Sequence, residues 1–364
     1  MNSTSPIEDF ASAPGVTLQD TLESLGMKQT ELADRAGISQ KTINRIVKGD
    51  EPITNKTAFA LEKVLRVPAH FWLNLQLQYQ EHLARVEETK RMESYAEWAR
   101  KFPYPDMVRN GLVEAARDAR DKAVHLLSYF GVASPEGWNT CYCEMDLELS
   151  YRKAEKCSEK RHGLSAWLRQ GEILALDTQT AEFDAEKFAS ALSEIRTLTT
   201  LDPGEFYPLM QRLCADAGVI YHLVPELPGL GISGVMRWFR GRPMIQQSLL
   251  FKSNDQFWFT FFHEAKHVLQ RKKKTIFLEG DASKPEDIAR ENEANKFAAD
   301  ILVAPDDWRQ FVASGNFQSA TIKAFSKNID IDPGIVTGRL LREKRLRYDQ
   351  PQAKLRKKFV WSTD

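Results

Sequence analysis

Two histidines and a glutamate stand at metal-binding spacing in the segment Phe257-Trp-Phe-Thr-Phe-Phe-His-Glu-Ala-Lys-His-Val-Leu269. If this segment is helical, His263 and His267 lie on one face with Cβ atoms roughly 5–6 Å apart, so both imidazoles can bind one metal ion. Glu264 is offset from that face and can reach a water molecule beside the metal, as a general base must. The pattern therefore predicts metal-assisted hydrolysis.

The H-E-x-x-H pattern is suggestive rather than decisive when taken alone. With 7 histidines in 364 residues, it should arise by chance in about one such chain in a hundred. The residues before it are almost wholly apolar and aromatic, which predicts a helix inside a core. Its three polar side chains would be costly to bury without partners, and a metal ion would be such a partner.

A catalytic metal site needs a third protein ligand. The segment Ile288-Ala-Arg-Glu-Asn-Glu-Ala-Asn-Lys-Phe-Ala-Ala-Asp-Ile-Leu-Val-Ala-Pro305 predicts a second helix that ends at a proline. On it Glu293 shares a face with Phe297 and Ile301, at helical spacings of four and eight, so we expect its carboxylate to point towards the core. Glu293 is the predicted third ligand, and Glu291 is the alternative.

These two segments resemble the ImmA/IrrE family of metallopeptidases, whose pattern is an H-E-x-x-H helix followed by an E-A-x-x-F-A helix that ends in proline. The resemblance extends over residues 205–345. It implies a zincin-like domain in which His263, His267 and Glu293 bind Zn2+ and Glu264 is the catalytic acid and base. Lys266 occupies a position where this family often has a small residue.

A helix, a glycine turn and a second helix are predicted in the sequence QTELADRAGISQKTINRIVKG. Gly37 provides the backbone freedom for the turn, and Ser39 stands at the N-cap of the second helix. The basic and amide side chains of that helix are spaced to lie opposite its apolar face; they are Gln40, Lys41, Asn44, Arg45 and Lys48. This is the pattern of a recognition helix, with cations for phosphates and amides for base edges.

The same segment, with PAHFWLNLQLQYQEHLAR after it, is similar to the HigA-type antitoxins within the Xre-like repressors. That resemblance implies a double-stranded DNA operator, a homodimer and a possible toxin partner. The alternative is a small helical packing domain with an ordinary solvated face.

Composition limits the classes of protein to consider. The net charge is zero, so DNA binding requires a local basic patch. No apolar run is long enough to span a membrane, and the first fifteen residues lack the pattern of a signal peptide. The four cysteines are too scattered for a disulfide framework, so we expect reduced thiols and a cytoplasmic protein.

Between these segments the sequence predicts helices and a small sheet. A strand is expected at residues 218–224, and a hairpin at 231–246 that turns at Arg240-Gly-Arg. An edge strand of this sheet could hold a peptide, as the family implies, and His222 and Arg237 are either aids to catalysis or ordinary side chains.

The predicted fold is α+β and predominantly helical. The predicted parts are a flexible N-terminus (1–14), a five-helix-type helix-turn-helix domain (15–85), a helical connector (86–185), a zincin-like peptidase domain with a small β-sheet (186–350) and a basic C-terminal tail (351–364).

Three functions fit these predictions. The first is a DNA-binding transcriptional regulator with a zinc-dependent endopeptidase that cleaves a repressor or antitoxin-type protein. The second is a HigA-like antitoxin or repressor whose peptidase domain serves only partner binding. The third is a structural adaptor. The intact set of predicted ligands with Glu264 favours the first, because a binding scaffold has no physical need for a general base.

Overall fold

The computed structural model of the chain describes residues 12–149, 154–270 and 285–361. It forms two compact units, Met1–Ala96 and Glu97–Asp364. The fold is mostly helical with one small sheet among the described residues, as predicted. The segment predicted as a connector, residues 86–185, is divided between the two units. None of the described helices combines the length and the apolarity needed to cross a bilayer.

In its described part, the first unit consists of five helices: α1 (Pro14–Ser24), α2 (Gln29–Ala36), α3 (Gln40–Lys48), α4 (Asn55–Leu65) and α5 (Ala69–Ser94). Their apolar faces meet in one core that includes Leu18, Leu22, Leu32, Ile43, Ile46, Leu61 and Trp72. The two neighbouring aromatic residues near the start of α5 differ in burial: Trp72 is fully buried, whereas Phe71 is 42% exposed. The predicted five-helix arrangement is confirmed.

The second unit places most of its helices before the sheet: α6 (Ala96–Ala99), α7 (Tyr104–Arg109), α8 (Ala119–Phe130), α9 (Pro135–Leu149), α10 (Ala154–Leu176), α11 (Ala185–Thr197) and α12 (Pro203–Asp216). After the sheet come α13 (Asn254–Leu269), α14 (Pro285–Leu302), α15 (Pro305–Ala313), α16 (Ser319–Asn328) and α17 (Pro333–Arg342). Short 3-10 helices lie at Leu198–Thr200 and Pro351–Leu355.

The sheet contains β1 (Ile220–Leu223), β2 (Gly234–Phe239) and β3 (Arg242–Gln247) in the order β1-β3-β2. β1 runs parallel to β3, and β2 runs antiparallel to it. The predicted hairpin and its turn are confirmed, with positive φ angles at Arg240 and Gly241. β2 therefore lies at an edge of the sheet.

Helix α13 passes through the core of the second unit, as its aromatic sequence predicted. Its side chains Phe257, Trp258, Phe261 and Phe262 are at most 4% exposed. It packs against β2 and β3 on one side, and against α14 and α17 on others. This packing fixes the helix that carries the H-E-x-x-H residues.

The segment expected to be a basic tail packs on the second unit over its described residues. The amide of Phe359 donates to the carbonyl of Lys252 at 2.9 Å. The Phe359 ring lies 5.7 Å from that of Phe206 and 5.3 Å from that of Phe257, between centroids. Phe359 thus attaches the basic C-terminal segment to the second unit. The pattern of charges in the sequence does not predict this contact.

Candidate metal centre and helix-turn-helix

His263, Glu264 and His267 are buried on α13, with exposed fractions of 6%, 5% and 4%. The two imidazoles face each other, with 3.1 Å between their Nε2 atoms. Nδ1 of His267 lies 3.0 Å from Oε1 of Gln270, the residue that caps the helix. The two histidines predicted to bind one metal ion are therefore adjacent.

Glu291 on α14 completes a group of three side chains that could bind a metal ion. Its Oε2 lies 3.3 Å from Nε2 of His263, and its Oε1 lies 3.2 Å from Nε2 of His267. Four ligands placed tetrahedrally around an ion at about 2.0–2.1 Å stand roughly 3.3 Å apart. The contacts between these side chains are of that length, and one ligand atom from each of the three lies within 4.8 Å of the others, so His263, His267 and Glu291 are close enough to share a single zinc-sized ion.

The charge state of Glu291 also suits a ligand. Burial alone would raise the pKa of its carboxyl group, but hydrogen bonds with His263 and His267 outweigh that effect and lower the pKa to about 2. The side chain is consequently a carboxylate at neutral pH, ready to share negative charge with a cation.

The structure does not bring Glu293, the predicted third ligand, into this group. Its side chain is 55% exposed, pairs with Nζ of Lys266 at 2.9 Å and accepts a hydrogen bond from Gln270 at 2.9 Å. These neighbours lower the pKa of Glu293, first through the hydrogen bonds from Lys266 and Gln270 and then through the charge of Lys266. The expected position of Glu293 is thus corrected: Glu291, the alternative, lies beside the two histidines instead.

The correction follows from which face of α14 is buried. Ala294 and Ala298 are fully buried, and Leu302 is 3% exposed, whereas the larger Phe297 and Ile301 are only partly buried. Glu291 precedes Ala294 by three residues and Ala298 by seven, so it shares their face. Small residues at helical spacing signal a close helix–helix approach, and that signal identifies Glu291.

Glu264 lies beside the start of the edge strand β2. A Cβ atom built on Gly234 would stand 3.1 Å from Cγ and 3.3 Å from Oε1 of Glu264, and 2.6 Å from Cγ2 of Thr260. Any side chain at position 234 would clash with Thr260 and crowd Glu264, so glycine suits this position. The strand backbone and the predicted general base are thus adjacent.

His222 and Arg237 are engaged with α10 and the residues that follow it. Arg237 is buried and donates to Oε1 of Glu172 at 2.8 Å. Nε2 of His222 lies 2.8 Å from Oγ1 of Thr178. These contacts support the ordinary structural interpretation for both residues.

A cavity of about 280 Å3 lies between α13, α14 and α17. Its apolar lining includes Phe259, whose ring centroid is 6.3 Å from that of His263. The guanidinium of Arg342 covers the Phe259 ring at 4.0 Å and contacts Oδ1 of Asn295 at 3.4 Å. Phe259 precedes His263 by four residues on α13, and Asn295 follows Glu291 by four residues on α14. The cavity therefore begins one helical turn away from the candidate metal ligands on both helices.

The helix-turn-helix follows the predicted local geometry. α2 ends at Gly37, whose φ of 64° is left-handed, and Oγ of Ser39 accepts a hydrogen bond from the amide of Thr42 at 3.1 Å. On α3, Ile43 and Ile46 are buried. All five predicted DNA-contacting side chains are exposed: Gln40, Lys41, Asn44, Arg45 and Lys48.

Two family models match separate parts of the chain. Residues 18–72 match a helix-turn-helix family, and residues 234–316 match the IrrE N-terminal-like domain of the M78 peptidases. The chain is similar to these two families over those residues. It therefore combines a DNA-binding type of domain with a metallopeptidase type of domain, and the second family implies a metal ion.

Solved structures similar to this chain include two antidote proteins. One, an addiction module antidote protein of a HigA family from Coxiella burnetii, is 32% identical and covers 23% of this chain and 92% of its own, with a TM-score of 0.22. The other is a putative antidote protein of a plasmid maintenance system from Nostoc punctiforme. It is 29% identical, and the match covers 23% of this chain and 91% of that protein, also with a TM-score of 0.22. A comparison with curated proteins found no match.

Proposed function

We propose that this chain, in which a helix-turn-helix domain and an IrrE-like peptidase domain are joined, is a DNA-binding transcriptional regulator with zinc-dependent endopeptidase activity against a repressor or antitoxin-type protein. The observation that carries the proposal is the convergence of His263, His267 and Glu291 at 3.1–3.3 Å, beside a buried Glu264. Two imidazoles and one carboxylate are the ligand set of zinc peptidases that keep one position open.

His263, His267 and Glu291 would hold the ion in this mechanism. Zinc, when bound, supplies Lewis acidity that polarises the scissile carbonyl and makes the attacking water a stronger acid. The Glu264 carboxylate accepts the proton of that water as its oxygen attacks the carbonyl carbon. Glu264 then returns the proton to the nitrogen of the departing amine as the C–N bond breaks. Burial of Glu264 keeps bulk water from competing for this proton.

The substrate backbone has a natural position along β2. This strand is at the edge of the sheet, and its first residue, Gly234, lies against Glu264. An extended peptide paired with an edge strand is held through main-chain hydrogen bonds, which fix its scissile bond without restricting its side chains. The cavity next to Phe259 would then receive one apolar side chain of the substrate.

The first unit would bring this activity to DNA. The exposed cations Lys41, Arg45 and Lys48 suit phosphate contacts, and the amides of Gln40 and Asn44 suit base edges. A homodimer would place two such helices on the half-sites of an operator.

The experiment compares the parent chain with Glu264→Gln, first for zinc content and then for new protein N-termini that appear in cells producing each. We expect about one zinc per chain in both, and N-termini that depend on Glu264 from one or a few substrates. Zinc without any such N-termini would contradict the peptidase and favour the alternative, an antitoxin-like repressor whose second unit only binds a partner, such as a toxin.

A further inference from the structure

A row of hydrogen-bonded side chains leads from His267 to the surface of the second unit. Nδ1 of His267 lies 3.0 Å from Oε1 of Gln270, and Nε2 of Gln270 donates to Oε2 of Glu293 at 2.9 Å. Oε1 of Glu293 then pairs with Nζ of Lys266 at 2.9 Å. The row connects the end of α13 to α14, two residues beyond Glu291.

Donor and acceptor chemistry allows one assignment of protons along this row. A carboxylate only accepts, so Gln270 must present its NH2 group to Glu293. The amide oxygen of Gln270 then faces His267 and also only accepts, so Nδ1 of His267 must carry a proton. In the neutral ring the lone pair is left on Nε2, which lies 3.1 Å from Nε2 of His263 and can accept a hydrogen bond from it when no ion is bound.

We propose that Lys266, Gln270 and Glu293 are positioning residues that hold His267 in its Nδ1–H tautomer, with Nε2 directed at the metal. The proposal depends on the metal centre proposed above, and not on the identity of the substrate. Glu293 thus serves the centre as the third link from the metal instead of as a ligand.

The row is suited to orientation more than to fold stability. Glu293 is 55% exposed, and ion pairs this exposed contribute little to the free energy of unfolding. Partners that orient a ligating histidine, by contrast, change metal affinity by roughly 10–100-fold. Variants of Gln270 and Glu293 should therefore fold normally and differ in the metal centre.

The first test reads the tautomer directly. Nitrogen NMR of the metal-free chain, labelled with 15N-histidine and recorded as the pH is raised until the rings are neutral, should show His267 protonated at Nδ1. A His267→Asn variant identifies its signals. In Gln270→Leu the preference for Nδ1–H should be lost. A parent chain with His267 protonated at Nε2 would overturn the proposal.

The second test measures zinc affinity by competition with a chromophoric chelator. Gln270→Leu and Gln270→Glu should bind zinc roughly 10–100-fold more weakly than the parent chain. In Gln270→Glu the new carboxylate would face that of Glu293, and the two would repel each other. Adding Glu293→Gln to Gln270→Glu should restore affinity, because a carboxylate at position 270 can accept from both His267 and the new amide. This rescue is the signature that a merely structural role would not produce.

The control is Asp300→Asn, which breaks an exposed ion pair with Lys296 on the same helix. It should leave zinc affinity unchanged. Parental affinity in Gln270→Leu, or no recovery in the double variant, would refute the positioning role. If the parent chain binds no zinc, the metal centre itself is refuted, and the NMR result alone then decides whether the row sets the tautomer.

Discussion

Gly234 approaches Glu264 so closely that a methyl group on its Cα would stand 3.3 Å from the carboxylate oxygen Oε1. The same group would lie 2.6 Å from the side chain of Thr260, which real Cβ atoms do not tolerate. The edge strand and the predicted general base are thus in contact because position 234 has no side chain. On the proposed function, this contact would place a peptide paired with β2 next to Glu264.

Gly234→Ala should therefore impair catalysis and also destabilise the fold. Overpacking of this kind costs about 1–3 kcal/mol in the free energy of unfolding, which urea titration measures. Cleavage, measured on a substrate identified from the cellular N-termini, should fall while zinc content is kept. The control is Gly204→Ala in α12, where the added methyl meets nothing within 4 Å; it should be neutral or stabilise by about 0.4–1 kcal/mol. Equal effects of the two substitutions would contradict the close contact.

Glu291→Ala and Glu293→Ala should differ sharply in zinc binding. Loss of Glu291 removes a ligand atom and leaves two histidines, so the purified variant should carry little zinc. Glu293→Ala should retain about one zinc per chain at saturating metal, with affinity lowered by roughly 10–100-fold. Metal content by mass spectrometry distinguishes the two, and the opposite pattern would restore Glu293 as the ligand.

The cavity predicts a preference for bulky apolar groups. Hydroxamates bind zinc centres, so 3-phenylpropanehydroxamic acid should bind the zinc-loaded chain more tightly than acetohydroxamic acid does. Ala299 lines the cavity, and Ala299→Phe should remove that advantage while acetohydroxamic acid binds as before. Calorimetry measures both affinities. If the phenyl group adds nothing in the parent chain, the cavity does not serve the metal centre.

If Arg45 contacts a phosphate, Arg45→Ala should weaken DNA binding by a similar factor for every DNA sequence. It should also reduce the slope of log K against log salt concentration by about 1. Arg45 is half exposed, and its ion pair with Glu51 is long, at 3.7 Å. Arg35→Ala is the matched control, since Arg35 is exposed on α2 and pairs with Glu31. Fluorescence anisotropy across a salt series measures both slopes. Parental behaviour of Arg45→Ala would move the DNA contact elsewhere.

His162 should make the second unit less stable in mild acid. Its ring stacks on Trp138 with centroids 4.7 Å apart, and burial, with smaller effects of Lys101 and Arg161, lowers its pKa from 6.5 to about 4. Between these two values the unfolded chain binds a proton that the folded chain excludes, so the free energy of unfolding falls as the pH falls from 6.5 to about 4.

His162→Phe keeps an aromatic ring and removes this titration. The difference in unfolding free energy between parent and variant, from urea titrations at several pH values, should change across that window and level off below it. A constant difference would show that His162 does not titrate abnormally.

Local patterns in the sequence were sufficient for much of this protein. The glycine turn and Ser39 cap of the helix-turn-helix, the hairpin turning at Arg240, and the pairing of His263 with His267 all depend on residues within a few positions of one another. Backbone geometry over such distances is set by residue type, so the sequence determined these features by itself.

Tertiary packing decided the rest. Glu291 and Glu293 stand two residues apart and point to different faces of α14, and the face that meets α13 is the one with Ala294 and Ala298. Large apolar residues suggested the other face, but two helices approach most closely where their side chains are small. Likewise, Gly234 and Glu264 are neighbours only because β2 packs on α13. Which distant surfaces come together depends on how whole elements pack, and that information is not held in any one segment.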